Sequence, residues 1–372
     1  MFSNRTPPTQ MTSPPFRFSV TLNDLATQPG LSALVNKICP AATVPGSEFR
    51  DAASLRGEKC RDIHGDLPYG MFVVKHCSLR GHAGIIFTST GAPLLEQNAG
   101  LLTNNGLLKA LTDASTSPPI AGTPTTDHLL SLVSTCTDCF WHWMMDSLPK
   151  AFLAEQSGYT GSYLLPAHIP ETIGFDSMAL LGVSRSRLIV HNNSEHTASN
   201  LYIPTHFSGF NAHHNIHFMR AFRAQILSQL PAEPSSENRI YAARKPEAKH
   251  RRVTNHSDVE TILHQHGFKT IYFEDLSLHE QILTAANATT MIAPHGSGMT
   301  HSLFMKDRSL IIELFPHKRQ ASCDCYEQIA VIPQHYYHSL ESARDCASDI
   351  EVEIASLSAI VRNIPTQLNQ RL

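Results

Sequence analysis

Residues 239–315 alternate between short apolar strands and helices, and this alternation constrains the fold more than any other feature of the chain. The β-branched and aromatic composition predicts strands at 239–244, 269–274, 289–293 and 310–315, with helices between them. Capping boxes at 257–260 and 277–280 mark the starts of the first two helices, and Gly267 marks the end of the first. Elements in this order specify a parallel, doubly wound sheet.

The turn after the third predicted strand is a candidate ligand site. It contains Gly296 and Gly298, which let the backbone approach a ligand without a Cβ in the way. The helix predicted to follow the turn would present free N–H groups and a positive dipole end, an arrangement that favours an anion, most often phosphate. Ligands of such sheets lie at the carboxyl ends of the strands. The other residues expected at those ends are Arg244, Glu274, His295 and Glu313.

Charged residues near these strand ends suit a phosphate-bearing ligand. Arg244 can clamp the oxygens of a pyrophosphate in bidentate fashion, and Glu313 can accept hydrogen bonds from ribose hydroxyls. Arg251 and Arg252 form a basic loop with Lys249. A solvated basic turn is the alternative interpretation of that loop. Together these residues predict a nucleotide diphosphate at this edge of the sheet.

A second candidate site lies upstream, in an aromatic segment with helical spacing. His142 and Asp146 are four residues apart and therefore share one helical face, although Pro149 must kink the helix or begin a new one. Trp141 and Trp143, the two tryptophans of the chain, flank His142. Aromatic rings suit the apolar faces of sugars, so they predict a sugar-binding wall. The alternatives are a buried histidine held by an aspartate and a Trp143 that fills the core.

Composition argues against several classes of protein. A net charge of −3 provides no basic field for nucleic acid or an anionic membrane. No apolar run reaches the about 18 residues of a transmembrane helix. The GxxxxGK[ST] and GxSxG motifs are absent, which argues against ATP hydrolysis and esterase chemistry. Residues 1–16 lack the apolar region of a signal peptide and are interpreted as a disordered leader, so a cytoplasmic location is expected.

Metal binding is not predicted. The eight cysteines are scattered through the chain, and the CxxC at 136–139 has no second CxxC to complete a zinc site. Cys323 and Cys325 have the wrong spacing for that purpose. The histidines of 206–217 have no carboxylate or cysteine close in sequence, so a solvated loop is favoured there.

Three sequence blocks carry a resemblance to a known family. Residues 141–150 (WHWMMDSLPK) are similar to HWxxDxLP(R/K), residues 240–255 (IYAAR…RRVTN) to YISR…RRxxN, and residues 273–314 (FE…EQ…HGSGMT…IEL) to E…EQ…HGAGLTN…IEL. In combination they resemble glycosyltransferase family 61, and the combination is specific although each piece alone is not. The positions that depart from the family pattern are Ala243, His256, Ser297 and His301.

The resemblance implies an α/β protein of the GT-B arrangement, in which two Rossmann-like doubly wound domains face each other across a cleft. We expect an acceptor-side domain at 17–205 and a donor-binding domain at 206–345. The apolar positions of 346–372 recur at helical spacing, which predicts an amphipathic helix that packs back onto the body.

The resemblance further implies an inverting glycosyltransferase. It would move a sugar from a nucleotide-diphosphate donor, by family analogy a UDP-sugar, to a hydroxyl of a glycan, polysaccharide or lipid-linked acceptor. The expected base is Asp146, or His142 oriented by Asp146, with Trp141 and Trp143 as the acceptor wall. The expected donor-binding residues are Arg244, Arg251, Arg252, Glu274, His295, Gly296, Ser297, Gly298, Met299, Thr300 and Glu313. GT-B enzymes usually need no metal for chemistry, and the nucleotide sugar is a co-substrate, so neither metal nor cofactor is expected.

Two alternatives remain at this stage. A nucleotide-sugar-binding or regulatory protein that has lost catalysis would bind the donor without turnover. A metal-dependent hydrolase that uses the abundant histidines would show activity sensitive to chelators.

Overall fold

A computed structural model describes most of the chain, and the described part consists of two β-sheets with their helices. The described residues are 48–51, 70–87, 93–94, 113–114, 125–134, 139–192, 195–204, 216–231, 238–317, 325–346 and 348–364. The predicted leader at 1–16, most of the histidine-rich loop, and Cys136 and Cys323 lie outside the described residues.

The N-terminal sheet mixes parallel and antiparallel strands. Its strands are β1 (Glu48–Asp51), β2 (Gly70–Arg80), β3 (Ile85–Phe87), β4 (Pro93–Leu94), β5 (Thr125–Ser131), β6 (Ser162–Pro166), β7 (Leu188–His191) and β8 (His196–Pro204). The order is β4-β3-β2-β8-β5-β6-β7, with β1 paired to β2. Strands β8, β5, β6 and β7 are parallel to one another, and the remaining pairs are antiparallel.

The antiparallel half departs from the doubly wound sheet expected for this part of the chain. Strands β2 and β3 are joined by a tight turn in which the Gly84 amide donates to the Gly81 carbonyl at 3.0 Å. Both glycines have positive φ, 69° and 60°, so this reversal suits glycine at both positions. Such a short connection makes a hairpin, whereas a parallel pair needs a crossover of a dozen or more residues.

The helices of this half begin with an irregular segment. They are α1 (Phe140–His142), α2 (Leu148–Gln156) and α3 (Glu171–Leu180), with a π-helical turn, Trp143–Ser147, between α1 and α2. Pro149 lies in the first turn of α2, where its missing N–H has no intrahelical partner to lose. The expected helix restart at Pro149 is therefore observed, and the π-helical turn adds an irregularity of a kind often found at functional sites.

The C-terminal sheet is entirely parallel, as predicted. Its strands are β9 (Asn238–Ala242), β10 (Phe268–Ile271), β11 (Ala288–Pro294), β12 (Leu310–Phe315) and β13 (Tyr336–Glu341). The helices around it are α4 (Ile216–Leu227), α5 (His256–Gln265), α6 (Leu278–Ala286), α7 (Cys325–Val331) and α8 (Ile354–Arg362). The strand order is β10-β9-β11-β12-β13. The direction of winding reverses between β9 and β11, and that switch point is where such sheets bind ligands.

The helix starts test the two predicted capping boxes. At Ser277 the box is confirmed, since Ser277 and Glu280 exchange side-chain and backbone hydrogen bonds. At Ser257 the prediction is wrong, because α5 begins at His256 and its N-cap residue is Asn255, two residues before Ser257, and Asn255 makes no side-chain capping bond. The Asn255 amide instead donates to the Val352 carbonyl at 2.8 Å and accepts from the Val352 amide at 3.0 Å. A long-range contact has taken the side chain that would have capped the helix.

One hydrophobic core runs through both sheets. Phe152 of α2 lies edge-on to Phe222 of α4, with 5.7 Å between ring centroids, and buried residues on either side of the expected boundary at 205 belong to the same cluster. A second cluster lies on the other face of the C-terminal sheet, where Leu357 and Val361 of α8 pack against Leu263 of α5. The C-terminal helix therefore packs back onto the body. Among the described residues, no helix is long and apolar enough to cross a membrane.

Candidate active site

Arg244 and Gly296 meet at the switch point of the C-terminal sheet. Arg244 follows β9, and Gly296 follows the neighbouring strand β11. A Cβ added to Gly296 would lie 2.4 Å from Nη2 of Arg244 and 3.1 Å from its Cζ, so the guanidinium lies directly against the turn. The backbone of Gly296 has φ 154° and ψ 174°, a region essentially restricted to glycine. The turn therefore needs glycine at this position for two separate reasons.

Arg244 is half-buried and close to a second arginine. Its Nη1 donates to the carbonyl of His250 at 2.8 Å. Burial and the charge of Arg251 lower the pKa of the Arg244 guanidinium. Neither Arg244 nor Arg251 forms an ion pair with the residues that the structure describes. Arg251 also has a positive φ of 60°, a conformation uncommon outside glycine that tends to cluster at functional sites.

Arg252 points into a different contact. Its Nε and Nη2 donate to Oδ2 of Asp349 at 3.1 and 2.7 Å, and its backbone amide donates to Oδ1 at 3.0 Å. This clamp attaches the basic loop to the segment before α8. Arg252 was expected to bind the donor, but its guanidinium is engaged by Asp349 in this geometry. Glu274 lies exposed in the 3-10 turn Phe273–Asp275 after β10, where its charge raises the pKa of Arg244.

Glu313 lies beneath His295 rather than at the surface. It is fully buried, inside β12 opposite Ala293 and Ser339. Its Oε1 accepts a hydrogen bond from Nδ1 of His295, and its Oε2 accepts one from the hydroxyl of Tyr337. The expectation that Glu313 binds ribose hydroxyls is wrong for this arrangement, because both carboxylate oxygens are occupied and no surface is exposed. Glu313 orients His295 instead.

The glycine turn leads into a 3-10 helix, Ser297–Phe304, where an α-helix was expected. The Met299 amide donates to the Gly296 carbonyl at 2.8 Å. Within the described residues, no group accepts from the amides of Ser297 and Gly298, which are the orphan donors of a helix start. Met299 and Thr300 are fully buried, so neither side chain is exposed to solvent at the turn.

The histidine and aspartate of the upstream segment form the expected pair. Nδ1 of His142 lies 2.7 Å from Oδ2 of Asp146. The side chain of Asp146 is 2% exposed and that of His142 is 26% exposed, so His142 is the member of the pair that a substrate can reach. Trp141 is largely buried and contacts the His142 ring edge-on, with centroids 4.8 Å apart. The carboxylate and the indole together fix the imidazole.

Trp143 does not form a sugar-binding wall. It is fully buried, and its indole N–H donates to Oγ of Ser177 at 3.0 Å. The alternative reading, in which Trp143 fills the core, is the correct one. Residues two positions apart on a helix do not share a face, which explains why Trp141 and Trp143 have different surroundings.

Two further residues lie at these sites without having been predicted there. Lys150 is buried one helical turn after Asp146; burial lowers the pKa of its ammonium group, and the charge of Asp146 opposes that shift. Tyr326 of α7 lies edge-on to His295, with centroids 5.2 Å apart, and its burial raises the pKa of the phenol well above its usual value. The block 141–150 contained a signal for Lys150, whereas nothing in the sequence around Tyr326 indicated a site.

The two candidate sites are adjacent. The first turn, α1, packs against the 3-10 helix that follows the glycine turn. Cys139, directly before α1, is close enough for its charge to raise the pKa of Arg244. No group of three or more histidine, cysteine, aspartate or glutamate side chains is arranged to hold a metal ion in the described part of the chain.

Comparison with known proteins agrees with the three sequence blocks. Residues 140–312 match the family model described as Glycosyltransferase 61. This match covers α1, the basic loop and the glycine turn, and it confirms the resemblance on which the sequence interpretation rests. No curated protein gives a significant match to the chain.

Proposed function

From the match to glycosyltransferase family 61, we propose that this chain is an inverting glycosyltransferase. It would transfer a sugar from a UDP-sugar to a hydroxyl of a glycan, polysaccharide or lipid-linked acceptor. The two sheets would correspond to the two domains of a GT-B arrangement. The donor would bind at the switch point of the C-terminal sheet, and the acceptor would bind beside α1.

The arrangement of Arg244 and Arg251 carries the proposal. Two guanidinium groups without carboxylate partners among the described residues lie at a switch point, beside a glycine turn with unbonded amides. Guanidinium groups bind phosphate oxygens with charge-assisted, often bidentate hydrogen bonds. Orphan amides at a helix start add donors for the same kind of ligand. A diphosphate meets all of these requirements.

His142 suits the part of the general base. Asp146 accepts from Nδ1, which leaves Nε2 of the partly exposed imidazole as the basic atom, and the buried carboxylate stabilises the ring once it is protonated. This assignment chooses between the two expectations for the base. Asp146 itself is 2% exposed and would act through His142.

The proposed reaction combines the base on α1 with the phosphate-binding groups of the C-terminal sheet. Nε2 of His142 takes the proton of the acceptor hydroxyl, and the acceptor oxygen bonds to C1 of the donor sugar. The bond from C1 to the phosphate oxygen breaks on the opposite face, which inverts the anomeric centre. Arg244, Arg251 and the amides of the glycine turn receive the charge of the departing diphosphate. A positioned base supplies about 10²–10⁴ in rate, and each preorganised donor at the leaving group about 10²–10³.

Donor binding and turnover test the proposal separately. A panel of nucleotide sugars would be titrated against wild type, Arg244→Ala and His142→Gln, with and without chelator. We expect one uridine sugar to bind, Arg244→Ala to bind it about 10- to 100-fold more weakly, and His142→Gln to bind it with kcat lowered at least 100-fold. Activity should persist with chelator present.

The outcomes also separate the alternatives. Donor binding without turnover in wild type, across a range of acceptors, would indicate a nucleotide-sugar-binding protein. Loss of activity with chelator would indicate that a metal takes part. The absence of binding by any nucleotide sugar would overturn the assignment of the switch point.

A further inference from the structure

His301 lies between the two candidate sites and contacts elements of both. Its ring stacks on Phe140 of α1, with centroids 4.8 Å apart and an interplanar angle of 16°. Its other face stacks on Phe273, with centroids 3.8 Å apart and an angle of 18°. His301 is 2% exposed. A single imidazole is therefore sandwiched between the segment before His142 and the turn that follows β10.

The ring nitrogens of His301 reach the donor side of the site. Nδ1 donates to the carbonyl of Gly298 at 2.9 Å, and Nε2 lies 2.8 Å from Oε1 of Gln281. The Gln281 amide nitrogen in turn donates to the carbonyl of Leu276 at 2.9 Å. The stack and the hydrogen bonds thus connect α1, the glycine turn and α6 through one side chain.

The number of available protons shows which of these contacts is weak. Gly298 and Gln281 both present oxygen to the ring, so both contacts are satisfied only if both ring nitrogens carry protons. Burial lowers the pKa of His301 to about 4, so the ring is neutral near pH 7 and has one N–H. That proton serves Gly298, and the Gln281 contact is left without one. The ring stacking and the hydrogen bond to Gly298 are therefore the contacts through which His301 connects α1 to the glycine turn.

We propose that His301 is a positioning residue that sets the glycine turn of the donor site at a fixed distance from the helix carrying His142. The expected effects on kcat and KM rest on the proposed function. The connection that His301 makes between the glycine turn and α1 does not depend on any substrate. The two kinds of contact position different parts of the site. The hydrogen bond to Gly298 positions the glycine turn of the donor site, and the stack on Phe140 positions the proposed base His142.

Three substitutions separate the two contacts. His301→Phe keeps an aromatic ring in the sandwich and removes the hydrogen bond. His301→Asn removes the ring and keeps N–H donors that can face the Gly298 carbonyl. His301→Ala removes both. His335→Ala is the matched control, because His335 is also largely buried, has a pKa lowered to about 4, and contacts the Ser302 carbonyl of the same 3-10 helix at 2.8 Å without touching α1.

The kinetic readout is a split between kcat and the KM for the donor. We expect His301→Phe to raise the donor KM about tenfold with kcat nearly kept, and His301→Asn to lower kcat about tenfold with a smaller change in KM. His301→Ala should show both changes. His335→Ala should lower stability while leaving both constants of the folded enzyme near those of wild type. Equal effects in all four variants would mean that His301 only supports the fold, and would overturn the proposal.

A readout without substrate keeps this inference distinct from the proposed function. Hydrogen exchange of the amides in 140–147 is measured in the unliganded protein. We expect exchange several-fold faster in His301→Asn and His301→Ala than in wild type or His301→Phe. Unchanged exchange in His301→Ala would refute the link even if the protein transfers sugar. Faster exchange in a protein that binds no nucleotide sugar would leave the link standing and remove the proposed function.

Discussion

Gly296→Ala is the substitution for which the structure gives the most specific expectation. The new Cβ would lie 2.4 Å from Nη2 of Arg244, closer than any stable contact allows. The atom in the way is at the far end of the flexible Arg244 side chain, so we expect the Arg244 guanidinium to move and the backbone of the turn to stay in place. The substitution therefore displaces the guanidinium without deleting it.

Two free-energy terms determine how much Gly296→Ala changes stability and donor binding. Holding a residue other than glycine at φ 154° costs about 1–3 kcal/mol of folding free energy. A hydrogen bond from a charged group to the donor contributes about 1.5–3 kcal/mol, so losing the guanidinium from its position should weaken donor binding about 10- to 100-fold. The first term lowers the free energy of unfolding, and the second appears only in donor binding.

Urea denaturation and calorimetric donor titration measure the two terms separately. Gly298→Ala is the control for stability, because no atom lies within 4 Å of its Cβ position and its φ is not in the left-handed region. It should be as stable as wild type or slightly more stable. The decisive comparison is a double-mutant cycle. In an Arg244→Ala background, Gly296→Ala should cause little further loss of donor affinity, because the side chain that it displaces is already gone.

The reasoning is refuted by either of two results. If Gly296→Ala weakens donor binding equally in both backgrounds, the glycine acts on the ligand directly and not through Arg244. If Gly296→Ala unfolds at the same urea concentration as wild type with the same m-value, the backbone strain attributed to this turn is not present.

Three further predictions concern residues that support the site. Tyr337→Phe removes one of the two donors to the buried carboxylate of Glu313, so the free energy of unfolding should fall by about 1–3 kcal/mol; no change in urea stability would show that the hydroxyl is dispensable. Arg252→Ala should weaken donor binding less than Arg244→Ala and no more than Asp349→Ala, because Arg252 acts by clamping the loop; a loss matching that of Arg244→Ala would indicate direct contact. Acid should destabilise the fold between about pH 6.5 and pH 4, because the histidines of the unfolded chain bind protons in this range and the buried histidines of the folded chain do not. The pKa of His301 is lowered to about 4, so His301→Asn should lose about 3 kcal/mol less unfolding free energy than wild type over this range. Calorimetric unfolding at several pH values measures the difference. The histidines that share this value are His196, His301 and His335.

The C-terminal sheet was predictable because its signals are local. Apolar runs, the capping box at Ser277 and the glycine at 267 each act within a few residues, and the structure confirms the parallel sheet they predict. The N-terminal sheet was harder for the opposite reason. Strand β2 pairs with β8, more than a hundred residues further along the chain. Nothing in either strand alone specifies an antiparallel partner at that distance.

The sequence predicted which residues lie together at the strand ends, but not how deeply each of them is buried. The rule that ligands lie at the carboxyl ends of strands brought Arg244, His295 and Glu313 to one place, and the structure has them there. The rule does not say which of these side chains faces the ligand and which faces the core. Glu313 faces inward, between His295 and Tyr337, and a strand with a fully buried pattern shows no alternation from which its direction could be read. Trp143 was misassigned because residues two positions apart on a helix do not share a face, so Trp141 and Trp143 could not both line one wall.

The 3-10 form of the helix after the glycine turn has a cause in its surroundings. Three side chains bind carbonyl oxygens along it: His301 binds that of Gly298, His335 that of Ser302, and Arg223 those of Leu303 and Met305. The Gly298 carbonyl is the one inside the helix, and because His301 engages it, it needs no amide four residues further on, which suits the tighter 3-10 winding. The other carbonyls lie in the last turn or just after it, where the end of a helix leaves carbonyls short of intrahelical partners, and these side chains bind them.

Two of these contacts also tie the helix to the rest of the site before any ligand arrives, through His301 at its start and through Arg223 near its end. Arg223 belongs to α4, which packs against Phe152 of α2, and His301 stacks on α1. The orphan amides of the turn are therefore fixed relative to both sheets. Donors fixed in advance need no reorganisation when charge develops on a leaving group, and that is the condition under which they accelerate a reaction most. The contacts that His301 and Arg223 make with this helix are, on this argument, the ones that preorganise the site.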